Sequence, residues 1–95
     1  MLRIRHDDGD AREIRIVLEG RIVGAWAEIL ERECVEAFSS GRHVLLDVSG
    51  VVFIGRSGFE ALARLSRAGI GIAGYSPLIA AMLEQAGIAV DKTTH

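Results

Sequence analysis

The stretch LLDVSGVVFIGRSGFEAL, residues 45–62, changes its hydrophobic period half way along. Its first half belongs to an apolar run that starts at His43, reads HVLLDV to Val48 and resumes from Val51 to Ile54. Short runs rich in Val, Ile and Leu read as buried strands, and strands buried on both faces belong to sheets covered by helices. After Gly55-Arg56-Ser57-Gly58 the spacing becomes helical: Phe59, Leu62, Ala63 and Ser66 share one face of a helix over residues 57–67. Gly69 suits the C-terminal stop of that helix. A cation and a hydroxyl therefore stand where a strand hands over to a helix.

Upstream, Leu2 and Ile4 alternate with Arg3 and Arg5, and Asp7-Asp8-Gly9-Asp10 reads as a turn. Ile14, Ile16 and Leu18 then alternate with Glu13, Arg15 and Glu19, the period of a half-buried strand. The two segments predict a hairpin, with Gly20 to Gly24 as its exit loop. Over residues 25–38, Trp26, Ile29, Leu30, Cys34, Ala37 and Phe38 recur at helical spacing, opposite Glu28, Glu31, Arg32 and Glu36. Glu33 falls inside the apolar arc and is expected to reach its edge, while Val35 falls outside it. Ser39-Ser40-Gly41 ends the helix.

Downstream, Ile70 to Ala73 is long enough only for a strand. Ser76-Pro77 opens a third helix, with Ser as N-cap and Pro at the first helical position. Leu78, Ile79, Met82, Leu83 and Ala86 form its apolar arc, and Gly87 stops it. Ile88-Ala89-Val90 reads as a last strand before a polar tail, Asp91 to His95. The order β-β-α-β-α-β-α-β predicts an α/β fold: a mixed, mostly parallel sheet of four to five strands, opened by an antiparallel hairpin, in one domain over residues 1–95.

Composition excludes several function classes. With 95 residues there is room for one core, and with 49% apolar but 5% aromatic residues it is built from Val, Ile, Leu and Ala. A net charge of −2 argues against sequence-independent nucleic-acid binding, which needs a clustered positive surface. Cys34 is the one cysteine, so no internal disulfide forms, and a reducing compartment fits. His6, His43 and His95 lack neighbours at ligand spacing, so neither a metal site nor a cofactor is expected. The charged start, Arg3, Arg5, Asp7 and Asp8, is unlike a signal peptide, and no apolar run approaches the ~20 residues of a membrane span. A cytoplasmic protein without membrane insertion is the expectation.

Three stretches invite a chemical reading. Gly69-Ile70-Gly71-Ile72-Ala73-Gly74 fits G-x-G-x-x-G, but a dinucleotide fingerprint follows a strand and opens a helix, and here a helix precedes it. Ser57 has no histidine placed to serve as its base: His43 begins the strand whose far end precedes Ser57, so no catalytic residue is assigned. Ser57-Gly58-Phe59-Glu60 matches S-x-x-E, a capping box in which Ser57 caps the helix and Glu60 reaches back. Arg56 is different in kind, since a cation before a helix start meets the positive end of the dipole. Arg56, Glu60, Arg64 and Arg67 lie on one side of the wheel, either as a ladder of i,i+4 ion pairs or as a docking face for an acidic partner.

Residues 45–62 resemble the central signature of STAS domains, the anti-sigma-factor-antagonist family: a strand, Asp-x-Ser, an aromatic or apolar pair, then Asp-Ser-Ser-Gly entering a helix. Asp47, Ser49, Val51, Phe53, Ser57 and Gly58 fall in register, and LEGRIVGAWAEIL, residues 18–30, resembles the upstream strand-to-helix segment. The resemblance implies a STAS-like fold lacking the family's last helix. It also implies a non-enzymatic switch docking with a kinase-type anti-sigma factor, and in some members a part in lipid-transport or sulfate-transport systems. The position matching the family's phosphoacceptor serine is Arg56, and Gly55 replaces the preceding aspartate. Phosphorylation at the usual place is thereby lost, with Ser57 the one remaining hydroxyl.

The expectation is a bacterial regulatory module that binds a protein partner, an anti-sigma factor kinase or a transport or signalling protein, through Arg56, Ser57, Gly58, Glu60, Arg64 and Arg67. Asp47, Ser49 and Gly55 would brace the strand exit. Three alternatives stay open: nucleotide or small-anion binding at the start of the 57–67 helix, a subunit role in an ABC-type lipid transporter, and a homodimer.

Overall fold

In the computed structural model, which describes residues 1–10, 12–74 and 76–88 and only the backbone of 8–10, the hairpin is longer than its pattern suggests. β1 (Leu2–Asp10) pairs antiparallel with β2 (Glu13–Ile22), and a register shift between Asp7 and Asp10 carries β1 through the acidic cluster read as a turn. β3 (His43–Ile54) adds parallel to β2, and β4 (Gly71–Ala73) adds parallel to β3, giving the order β1-β2-β3-β4. Three helices connect or follow these strands: α1 (Ala25–Phe38), α2 (Arg56–Arg67) and α3 (Pro77–Gln85). The strand expected at 88–90 lies outside the described residues beyond Ile88.

Both parallel crossovers step the same way across the sheet. Right-handed connections therefore place α1 and α2 on one face. The core shows the consequence. Ile14, Ile16, Leu18 and Ile22 of β2 and Val44, Leu46 and Val48 of β3 meet Leu30 and Cys34 of α1, Leu62 and Leu65 of α2, and Ile79 and Leu83 of α3. The other face carries Arg15, Leu45 and Asp47, all part-buried, with ion pairs among the described residues that include Arg15–Asp47 at 3.1 Å and Arg3–Glu19 at 3.6 Å. Burial of HVLLDV on both sides is thus corrected: alternate residues point into the helical layer, and the rest lie on a face that the described helices leave open.

β3 does not keep one period. Val17 pairs with Asp47 but Glu19 with Gly50, and Gly20 pairs with Val51 but Arg21 with Phe53. Each shift inserts one extra residue into β3, and each insertion turns the following side chains to the opposite face. The buried series therefore runs Val44, Leu46, Val48, then Val51, then Ile54.

The helix ends obey local rules except at the starts of α1 and α2, where the N-caps Gly24 and Gly55 make no side-chain cap hydrogen bond. Ser76 Oγ accepts from the Ile79 amide at 3.2 Å with Pro77 in the first turn, as the sequence predicts. Val35 stands exposed, and Glu33 is half-buried at the edge of α1. Cys34 is buried, and burial, followed by the charges of Glu33 and Glu31, pushes its thiol up to about 12, so it is protonated and unreactive at neutral pH. Among the described residues no His, Cys, Asp and Glu gather in a group able to hold a metal ion, and no helix is long and apolar enough to cross a membrane.

Candidate functional site

The carboxyl ends of β2 and β3 meet at the Ile22–Ile54 pair, and the handover to α2 is built there. The Gly55 amide donates to the Ile22 carbonyl at 3.0 Å, so pairing continues one residue past the strand. Gly55 is itself extended, with φ −84° and ψ 179°, and its carbonyl accepts from the Phe59 amide at 3.0 Å. That bond is the first of the helix. α2 therefore starts at Arg56, with Gly55 as its N-cap and no side-chain cap hydrogen bond. The capping box on Ser57 and Glu60 is corrected: Ser57 is the second helical residue, because the sheet commits the chain up to Gly55 and leaves the cap geometry to that residue.

Gly58 is buried rather than available to a partner. A methyl group on its Cα would lie 2.5 Å from the Ile22 carbonyl oxygen and 2.9 Å from Ile22 Cγ2 and Ile54 Cγ2. This close approach presses the first turn of α2 against the ends of both strands. Its role is packing.

The second β3 insertion has an outward consequence. Val52 and Phe53 both face solvent, 69% and 48% exposed, next to the start of α2. Half-buried Val23 and Phe53 both lie close to Gly55. Arg56, three residues after Phe53 in the chain, is exposed and makes no ion pair among the described residues, with Glu60 or otherwise. The first turn of α2 has no acidic residue to offset the cation at the positive end of the helix dipole, a cost of a few tenths of a kcal/mol. Sequence reading missed Val52 and Phe53 as surface residues. The signal lay in the buried spacing 48, 51, 54, which a strict period of two does not allow.

The remaining α2 residues divide between two sides. Arg64 turns toward α1: its Nε donates to Glu31 Oε2 at 2.9 Å and its Nη2 to Glu31 Oε1 at 2.7 Å. These two bonds hold the Glu31 carboxyl below the usual carboxylate range and raise the Arg64 guanidinium. Arg64 thus ties α1 to α2, and the Arg56–Glu60–Arg64 ladder does not form. Arg67 is exposed and has no ion pair among the described residues. Between α2 and α3 lies an open groove of about 390 Å³ lined by Arg56, Phe59, Glu60, Ala63 and Ala86.

Asp47 and Ser49 lie elsewhere. Asp47 Oδ1 accepts from the Ser49 amide at 2.9 Å, and Oδ2 accepts from Arg15 Nη1 at 3.1 Å. Burial pushes the Asp47 carboxyl up, but bonds from the Ser49 hydroxyl and amide and the Arg15 cation together bring it below its ordinary value. Asp47 pairs with Val17, five β2 residues from the Ile22–Ile54 pair, roughly 16 Å away along the strand. It braces the first β3 insertion and does not reach Arg56. The G-x-G-x-x-G stretch is accounted for too: Gly69 follows α2, and Gly71 to Ala73 form β4, so the motif opens no helix.

No family model matches the sequence, and no curated protein matches it. Solved structures do. An anti-sigma factor antagonist from Mycobacterium paratuberculosis superposes with a TM-score of 0.78 at 19% identity, covering 92% of this chain and 79% of that one. The anti-sigma factor antagonist SpoIIAA in its unphosphorylated form gives a TM-score of 0.67 at 17% identity, covering 97% of this chain and 90% of its own. A protein with a SpoIIAA-like fold from Shewanella loihica gives 0.58 at 12% identity, covering 95% and 81%. The four-stranded mixed sheet and three helices described above are therefore those of the anti-sigma factor antagonists, whose signature residues 45–62 resemble: the chain has the SpoIIAA-like, STAS fold.

Proposed function

We propose that this chain is a non-enzymatic regulatory module that docks a protein partner at the carboxyl end of its sheet. The observation that carries the reading is that exposed Val52 and Phe53 and the exposed cation Arg56, without an ion pair among the described residues, follow one another within residues 52–56 at the strand-to-helix handover. Exposed aromatic residues and arginines are the residue types enriched in binding hot spots, and neither residue is explained by stability. The similar folds of two anti-sigma factor antagonists support a partner of the anti-sigma class, with a transport or signalling protein as the other branch. Arg56 carries a constant positive charge and cannot accept phosphate as a serine does, so this surface works unswitched at that position. A cytoplasmic setting fits this role.

Calorimetric titration with a purified kinase-type anti-sigma factor from the same organism tests the reading. Binding that Phe53→Ala and Arg56→Glu each weaken at least tenfold is expected. With labelled ATP present no phosphate should transfer; label on Ser57 would show that the switch survives one residue along.

A second reading rests on the missing side-chain cap, which leaves the first-turn amides of α2 beside Arg56 for a small anion. Titration with phosphate, ATP and GTP while following Trp26 fluorescence separates the two, and no response at millimolar ligand removes the anion.

A further inference from the structure

The groove beside α2 continues past Ala63. An adjoining hollow of about 130 Å³ is lined by Ala63, Ser66, Arg67, Ala86, Gly87 and Ile88. The two depressions share Ala63 and Ala86, so one trough follows α2 from Arg56 to Arg67, about 16 Å for eleven residues of helix. Arg56, Glu60, Ala63 and Arg67 stand at i, i+4, i+7 and i+11, the spacing of a seam along which another helix packs. We propose that this trough takes an acidic amphipathic helix of the docked protein, a proposal that rests on the docking reading above and names the chemistry of its partner.

Two features select that occupant. The floor is apolar and low: Ala63 and Ala86 have only methyl groups, with half-buried Phe59 beside them, so a second helix approaches closely. Both ends are cationic. Arg56 and Arg67 are exposed without an ion pair among the described residues, while Arg64, the other arginine of α2, is turned away to Glu31. Glu60, one turn in, leaves the stripe with a net positive charge. The complementary helix has carboxylates eleven positions apart, with an apolar or small residue between them and a cation facing Glu60. A second copy of this chain does not meet that description. Antiparallel pairing about the middle of the stripe sets Arg56 against the copy's Arg67 at both ends, and parallel pairing sets each arginine against itself.

The probe is an 18-residue alanine-based helical peptide with Glu at positions 4 and 15, Lys at 8 and Leu at 11, titrated to 1 mM into the nitrogen-15-labelled chain. Saturable amide shifts along 56–67 and 82–88 are expected. Arg67→Glu should weaken the peptide at least tenfold, Arg32→Glu on α1 should not, and a peptide with Lys at 4 and 15 should bind the Arg56→Glu/Arg67→Glu chain in its place. Absent saturation, or equal binding of both peptides to the unaltered chain, overturns the proposal. So does concentration-dependent self-association centred on 56–67, which would make the occupant a second copy. The failures are separable with the full protein partner: loss of binding through Phe53→Ala but not through Arg67→Glu removes the trough alone, and indifference to both removes the docking site as well.

Discussion

The two ends of α2 are built by opposite rules. At its C-terminus Ala68 is the cap and Gly69 takes φ +105°, so the Gly69 amide reaches the Ser66 carbonyl and the Ile70 amide the Leu65 carbonyl, both at 3.1 Å. Ile70 then buries itself in the core that holds Leu65, and Arg64 and Arg67 face the negative end of the dipole. α3 repeats the device: the Ile88 amide bonds the Leu83 carbonyl at 2.9 Å and the Gly87 amide bonds the Glu84 carbonyl at 3.0 Å. The N-terminus of α2 has no side-chain cap, no acidic residue in its first turn, a cation at the positive end and two exposed apolar neighbours. Where every local choice favours the fold, stability explains the residues. Where several choices oppose it together, recognition is the better explanation.

The largest expected effect tests the one stabilising feature of the unconventional end. Gly58→Ala should cost about 2–3 kcal/mol in urea denaturation, because the added methyl meets the Ile22 backbone carbonyl, which cannot swing aside. The gain of about 1 kcal/mol from replacing a helical glycine does not offset it. Little change would mean that the first turn of α2 is not seated on the strand ends. At the other end Gly69→Ala should cost about 1–2 kcal/mol through its left-handed backbone alone, since its added methyl meets nothing closer than 3.8 Å.

These two ends also mark how much the sequence discloses. The glycine stop, the Ser76-Pro77 start and the span of α1 are local patterns, and each appears in the structure where the periodicity places it. Other features depend on strand neighbours. Gly55 supplants Ser57 as the cap because Ile22 claims its amide, and Arg64 pairs with Glu31, 33 residues away, instead of Glu60. Val52 and Phe53 surface because β3 carries two more residues than its partner. The stretch 45–62 disclosed the fold, but the part of the site made by these pairings is invisible to a reading that moves along one chain segment at a time.

A smaller effect concerns the brace at the first β3 insertion. Asp47→Asn should cost about 1 kcal/mol at neutral pH by weakening the bonds from Ser49 and Arg15. The pH dependence has a definite sign. The folded carboxyl lies below its unfolded value, so its contribution is complete above about pH 4 and is lost as pH falls through the folded value. Glu31, lowered by Arg64, acts in the same direction. Urea midpoints should therefore fall from about pH 4 downward, and less steeply in Asp47→Asn. An unchanged slope in that variant would assign the acid sensitivity elsewhere.

The smallest effects are the most informative, because their signs differ. Arg56→Glu puts an anion at the positive end of α2 and should stabilise the chain by about 0.3–1 kcal/mol. Arg67→Glu puts the same anion at the negative end and should destabilise it by a similar amount. Urea denaturation of the two variants side by side, at low ionic strength, is the direct measurement. A gain for Arg56→Glu with a loss for Arg67→Glu is the expected result and would show that Arg56 is held there against stability. A loss for Arg56→Glu would contradict this, making the arginine part of the fold and leaving the docking site without its cation.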